Sequence, residues 1–205
     1  MNLPNLLTMS RLALAGVIMA LLTIQKPFFF SAALFVFILA GITDFLDGHI
    51  ARKRRLISSF GRLMDPLTDK VMVCAAFVSF VEIQIPRGSQ LAPLVPAWIV
   101  VVIISREFLV TGLRLLAASR GNILSAGKWG KHKTVWQIVA IVLLLLGLAI
   151  RHDILHGASP QLLANYDFAF FYIARGLSLG VAVITVASGA LYFLQHRELI
   201  SGGRT

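Results

Sequence analysis

The chain has 205 residues, 58% of them hydrophobic, with 19 Lys and Arg against 9 Asp and Glu, and a mean hydropathy of +0.83. Soluble domains sit nearer to about 45–50% apolar, so this composition excludes an ordinary soluble domain, and the length fits a single domain. The net charge of +10 does not point to nucleic acid, because the basic residues lie between apolar stretches long enough to span a bilayer, and the single cysteine, Cys74, excludes an intrachain disulfide.

A membrane-crossing helix needs about 20 apolar residues. Six segments meet that need in chain order, at 7–25, 28–50, 63–84, 93–118, 133–150 and 169–194. They predict an all-α polytopic membrane protein, with six transmembrane helices in one integral-membrane domain over residues 1–205. The first segment has no small-residue cleavage site and is expected to be a retained helix. The separators are Gln25-Lys26-Pro27, residues 51–62, Arg87-Gly88-Ser89-Gln90, residues 119–132, and Arg151 to Asp167. Basic residues crowd two of them, with Arg52, Lys53, Arg54, Arg55 and Arg62 in one and Arg120, Lys128 and Lys131 in the other, next to Lys133. The bias of Lys and Arg toward the cytoplasmic side then predicts that both termini and both basic loops face the cytoplasm. Arg175, inside the sixth segment near its outer end, is expected to snorkel outward.

Between the second and third segments the sequence reads "TDFLDGHIARKRRLISSFGRLMDPLTDK", which holds Asp44, Asp47, Asp65 and Asp69. Asp44 and Asp47 are spaced i, i+3 and Asp65 and Asp69 i, i+4, so each pair shares one face of its helix. A short loop makes the two helices antiparallel neighbours, and all four carboxylates can meet near the cytoplasmic ends. A central, unpaired Asp costs about 2.5–3.5 kcal/mol to insert, so four would cost about 10–14 kcal/mol without compensation. Salt bridges to Arg52, Arg62 and Lys70 would balance charge, but would not explain four Asp and no Glu in so short a stretch. Carboxylates without His or Cys partners favour hard ions such as Mg²⁺ or Mn²⁺. Four can hold two ions, and two metals can clamp a phosphoryl group between attacking and leaving oxygens. Gly48, Gly61 and the small Ala51 would let a ligand approach the backbone.

The pattern Asp44-x2-Asp47-Gly48-x2-Ala51-Arg52-x8-Gly61-x3-Asp65-x3-Asp69 resembles the signature of the CDP-alcohol phosphotransferases, and no position departs from it. The resemblance implies a six-helix membrane enzyme, often a homodimer, that moves a phosphoryl-linked group from a CDP-alcohol to a second alcohol and releases CMP. It implies that Asp44, Asp47 and Asp65 ligate metal. Asp69 would bind the second metal and act as general base. Gly48, Ala51 and Gly61 would line the cytidine pocket, and Arg52 would face the donor phosphates.

The acceptor is narrowed by "SREFLVTGLR", which puts Arg106 and Arg114 eight residues apart on one face of the fourth segment, and by "GKWGKHKTVWQ", with Lys131 and Lys133. Intramembrane arginine is costly and usually functional, and two Arg with nearby Lys make a phosphate-monoester pocket. The structural alternative is an Arg106–Glu107 pair beside topogenic lysines. These segments, with "NLPNLLTMSRL" and "DPLTDK", resemble one branch of the family, the phosphatidylglycerophosphate synthases. That resemblance implies CDP-diacylglycerol as donor and glycerol 3-phosphate as acceptor, at the cytoplasmic (inner) membrane of a bacterium with the active site facing the cytoplasm. Asn5 and Thr8 are candidates for the cytidine end of the site, and an interfacial helix start explains the same stretch. Other readings are a relative using serine, inositol phosphate or phosphatidylglycerol, a divalent-cation transporter, and a non-enzymatic lipid-binding protein. A transport path would continue in polar residues, whereas "FFFSAALFVFILAGI" and "VMVCAAFVSFV" flank the aspartates with apolar sequence.

Overall fold

The structure is a computed structural model that describes residues 3–54, 59–88, 90–119 and 128–196; within its helices the side chains of residues 3–8, 44–54, 59–69, 128–129 and 131 lie outside the description. Its elements in chain order are α1 (Leu3–Ile24), α2 (Phe29–Arg54), α3 (Ser59–Glu82), β1 (Gln84–Arg87), β2 (Gln90–Pro93), α4 (Ala97–Ser119), α5 (Lys128–Ala149), a π-helical turn (Ile150–Ile154) and α6 (Pro160–Gln195). The fold is mostly helical, and each expected apolar segment lies in a helix of its own. Among the described residues, 132–154 and 160–195 are each long and apolar enough to cross a membrane.

Two regions differ from expectation. The separator at Arg87 to Gln90 is the tip of an antiparallel hairpin in which Gln84 pairs with Pro93 and Arg87 with Gln90. Gly88 carries the left-handed φ of +62° that closes the turn. The sixth helix begins at Pro160, well before residue 169, inside the stretch expected to separate the spans. Ser159 is its N-cap, accepting from the Leu162 amide at 3.4 Å, and Pro160 follows in the first turn, where a missing N–H costs nothing. At 36 residues and about 1.5 Å per residue, α6 is about 54 Å long.

The helices pack around one core. α1 lies against both α2 and α3, α2 against α5, α3 against α4 and α5, and α6 against α4 and α5. Ile18, Phe37, Phe77, Phe80, Ile103 and Leu144 meet in that core. Small residues let the backbones close up, as helices do where no hydrophobic force separates lipid from protein. Ala33, Ala76, Ala140 and Ala174 are fully buried. At Gly147 an added Cβ would stand 2.1 Å from Phe170 Cε2, so any larger residue would force the buried Phe170 ring to shift. Large apolar side chains such as Phe35, Val101, Phe108, Val183 and Leu194 face outward, a surface that a soluble monomer rarely carries.

One end of the bundle is fastened by polar contacts. Asp153, from the π-helical turn, accepts from the Phe28 amide at 2.6 Å and the Ser31 amide at 3.3 Å, and also from the Ser31 hydroxyl. It thus caps α2 from another helix and satisfies donors of the first turn. Arg151 forms a bidentate pair with Asp167, at 2.5 and 2.9 Å. Arg175 does not run free into the outer layer: it lies 5.0 Å from the Phe171 ring centroid, and its Nη2 donates to Pro93 O of the hairpin at 3.4 Å.

Candidate active site

Asp44 and Asp47 lie ten and seven residues before the end of α2 at Arg54, and Asp65 and Asp69 lie six and ten residues after the start of α3 at Ser59. At about 1.5 Å per residue, both pairs therefore sit roughly 9–15 Å along their helices from the connection at 55–58. Counted along the chain, the two pairs thus lie at similar distances from residues 55–58. Gly48, Ala51 and Arg52 follow on α2 and Gly61 precedes on α3. The side chains of all these residues, and of Asn5, Thr8 and Lys131, lie outside the described ones. As a donor set, four short carboxylates without nitrogen or sulfur partners fit a hard divalent cation.

A second group of charged side chains is described on α4 and α5. Glu107 on α4 is 4% exposed and Lys133 on α5 is 3% exposed. Lys133 Nζ donates to Glu107 Oε1, and Arg106 Nη1 stands 3.6 Å from the same oxygen. Arg106 Nη2 also donates to Ser188 Oγ on α6 at 3.1 Å, and Ser188 Oγ donates to Thr185 O at 2.9 Å. Gly189 makes room for this reach: a Cβ there would stand 3.0 Å from Arg106 Cγ. Arg114, two turns further along α4, is half-buried. The cluster therefore joins α4, α5 and α6, and its triad of two cations and one anion, largely withdrawn from solvent, keeps a net positive charge.

Four buried polar atoms around this triad have no hydrogen-bond partner among the described residues: Arg106 Nε, Gln137 Nε2, Thr185 Oγ1 and Tyr192 Oη. Each such group costs about 1–3 kcal/mol when left unsatisfied.

Of the sequence-derived acceptor residues, Arg106 and Lys133 come together on Glu107, Arg114 lies two turns further along α4, and Lys131 shares α5 with Lys133. The Arg106–Glu107 contact expected as the structural alternative is present, and the structure adds Lys133 as the closer partner of Glu107. Thr185, Ser188 and Tyr192 were not singled out from the sequence. Their signal was available as hydroxyls at i, i+3 and i+7 in an otherwise apolar helix, the spacing of a single face.

Comparison with known proteins settles the class. The CDP-alcohol phosphatidyltransferase family matches residues 1–182, and the chain belongs to that family. Among its relatives, a Bacillus subtilis (strain 168) protein named "CDP-diacylglycerol--glycerol-3-phosphate 3-phosphatidyltransferase" is 38% identical over 97% of both chains. A Cereibacter sphaeroides protein of the same name is 36% identical over 88% of this chain and 76% of its own. A rice protein named "Cardiolipin synthase (CMP-forming)" is 32% identical over 90% of this chain and 56% of its own.

Proposed function

We propose that the protein transfers a phosphatidyl group from CDP-diacylglycerol to the hydroxyl of sn-glycerol 3-phosphate, giving phosphatidylglycerophosphate and CMP. The observation that carries the acceptor assignment is the cationic cluster of Arg106 and Lys133, largely withdrawn from solvent around Glu107. A phosphate monoester is the acceptor that needs such a pocket; a neutral alcohol such as serine does not. The relatives of the same name over most of both chains support the reading.

In this account Asp44, Asp47, Asp65 and Asp69 hold two divalent ions, Mg²⁺ or Mn²⁺, which when bound neutralise charge on the donor diphosphate. Gly48, Ala51, Gly61, Asn5 and Thr8 border the cytidine, and Arg52 faces the donor phosphates. Arg106, Arg114, Lys131 and Lys133 hold the acceptor phosphate and so fix its hydroxyl against the phosphatidyl phosphorus. Asp69 takes the hydroxyl proton as the new P–O bond forms and the bond to CMP breaks. The attack is direct, since a base at Asp69 requires no nucleophilic side chain.

The membrane setting follows from the same residues. The helices α1 to α6 span a bacterial cytoplasmic membrane as a homodimer, with both termini and the aspartates on the cytoplasmic side. The outward apolar side chains and the basic 51–62 and 119–132 stretches support this orientation. The test is CMP release by purified protein with CDP-diacylglycerol and Mg²⁺, adding one acceptor at a time with an EDTA control. Release only with glycerol 3-phosphate and metal is expected; release with serine, inositol phosphate or phosphatidylglycerol instead would overturn the acceptor.

A further inference from the structure

The four orphan atoms share one property. Arg106 Nε–H and the Gln137 Nε2 nitrogen can only donate, and the Thr185 and Tyr192 hydroxyls are free to donate. Gln137, Thr185 and Tyr192 are 2%, 0% and 6% exposed, so water does not reach them readily. The four atoms lie on α4, α5 and α6, with α6 packed against both α4 and α5. Gln137 lies one turn beyond Lys133 on α5. Thr185 and Tyr192 flank Ser188, the residue that holds Arg106, by about one turn on either side along α6. Four buried groups that can donate and have no partner would be satisfied by the oxygens of an anion, since buried donors are normally paired.

We propose that Gln137, Thr185 and Tyr192 complete a cradle for the acceptor phosphate: they hydrogen-bond its terminal oxygens beside Arg106 and set selectivity for a phosphorylated acceptor. This inference rests on the glycerol 3-phosphate reading and goes beyond it, because it adds neutral donors to charged ones. Neutral donors fix the direction of the phosphate. The charges of Arg106 and Lys133, with Glu107 between them, supply the attraction that holds it.

Tyr192→Phe removes one oxygen, Gln137→Met the amide, and Thr185→Val the hydroxyl, each at nearly constant volume, and Thr185→Ser restores the hydroxyl. Each of the first three raises KM for glycerol 3-phosphate about tenfold or more, the cost of a lost hydrogen bond to a charged group. KM for CDP-diacylglycerol stays within about twofold, and Thr185→Ser recovers most of the loss. Binding of radiolabelled glycerol 3-phosphate without donor, read by equilibrium dialysis, weakens by the same factor. Unchanged KM and unchanged binding in all three variants would overturn the cradle and leave the acceptor assignment standing. If the wild type releases no CMP with glycerol 3-phosphate, the acceptor assignment fails by itself. Dialysis with inorganic phosphate then decides the cradle, supported by binding that the variants lose and overturned by absent or unaltered binding.

Discussion

Removing the negative charge at Glu107 destabilises the protein more than removing the positive charge at Lys133. The triad of Arg106, Glu107 and Lys133 carries two positive charges and one negative, with Glu107 and Lys133 at 4% and 3% exposure. Glu107→Gln leaves two buried cations facing each other without an anion, the case in which breaking a buried pair costs about 3–5 kcal/mol. Lys133→Met leaves Glu107 with Arg106, whose Nη1 is already 3.6 Å from Oε1. That variant is locally neutral, and its cost should be under half as large. For a chain of this size a loss of 3–5 kcal/mol lowers Tm by roughly 6–20 °C. The assay is thermal unfolding in detergent, followed by the fraction remaining monodisperse, with and without glycerol 3-phosphate. A ligand at about 100 times its Kd adds about 2.7 kcal/mol. An anion should therefore rescue Glu107→Gln more than it stabilises the wild type, since it replaces the missing charge. Equal losses in the two variants, or a Glu107→Gln protein that melts with the wild type, would refute the charge-compensation argument.

Three further outcomes are expected. Asp69→Asn should abolish turnover while CDP-diacylglycerol binding, measured by direct titration, stays largely intact; near-normal rates would remove Asp69 from the chemistry. Arg106→Ala should raise KM for glycerol 3-phosphate at least tenfold, about 1.4 kcal/mol or more, with little change for the donor, and an unchanged KM would remove Arg106 from the pocket. Gly147→Ala should cost about 1–3 kcal/mol in the same melting assay, because its Cβ would stand 2.1 Å from the Phe170 ring. Gly176→Ala, with nothing within 4 Å of its Cβ, is the control and should melt with the wild type or above it.

The helical plan was legible because apolar segments of membrane length leave little else to form, and each expected segment lies in one helix. What escaped was set by distant contacts. The hairpin strands "QIPR" and "QLAP" are four residues each, and Pro86 and Pro93 mask their strand character, since proline cannot donate to a ladder. The early start of α6 was hidden because Asp167 reads as a loop residue; it is buried in the helix against Arg151. The Ser159-Pro160 start was a local cue that the polar stretch around it obscured. At the site, the aspartates announce themselves through spacing alone, whereas the Glu107–Lys133 pair joins residues 26 apart on different helices. The partners of Arg106 likewise needed the fold, as Ser188 lies 82 residues away in an apolar helix.

The central claim is that the four aspartates carry a metal-dependent phosphatidyl transfer to a phosphorylated acceptor held by the Arg106 cluster. The most direct measurement is the metal-dependent movement of label from radiolabelled sn-glycerol 3-phosphate into lipid by the purified protein, with CDP-diacylglycerol as donor and unlabelled phosphatidylglycerol as competing acceptor. The account predicts labelled phosphatidylglycerophosphate, undiminished by phosphatidylglycerol and lost with EDTA. Formation of cardiolipin with no label entering lipid, or label entering lipid at full rate in EDTA, would contradict it.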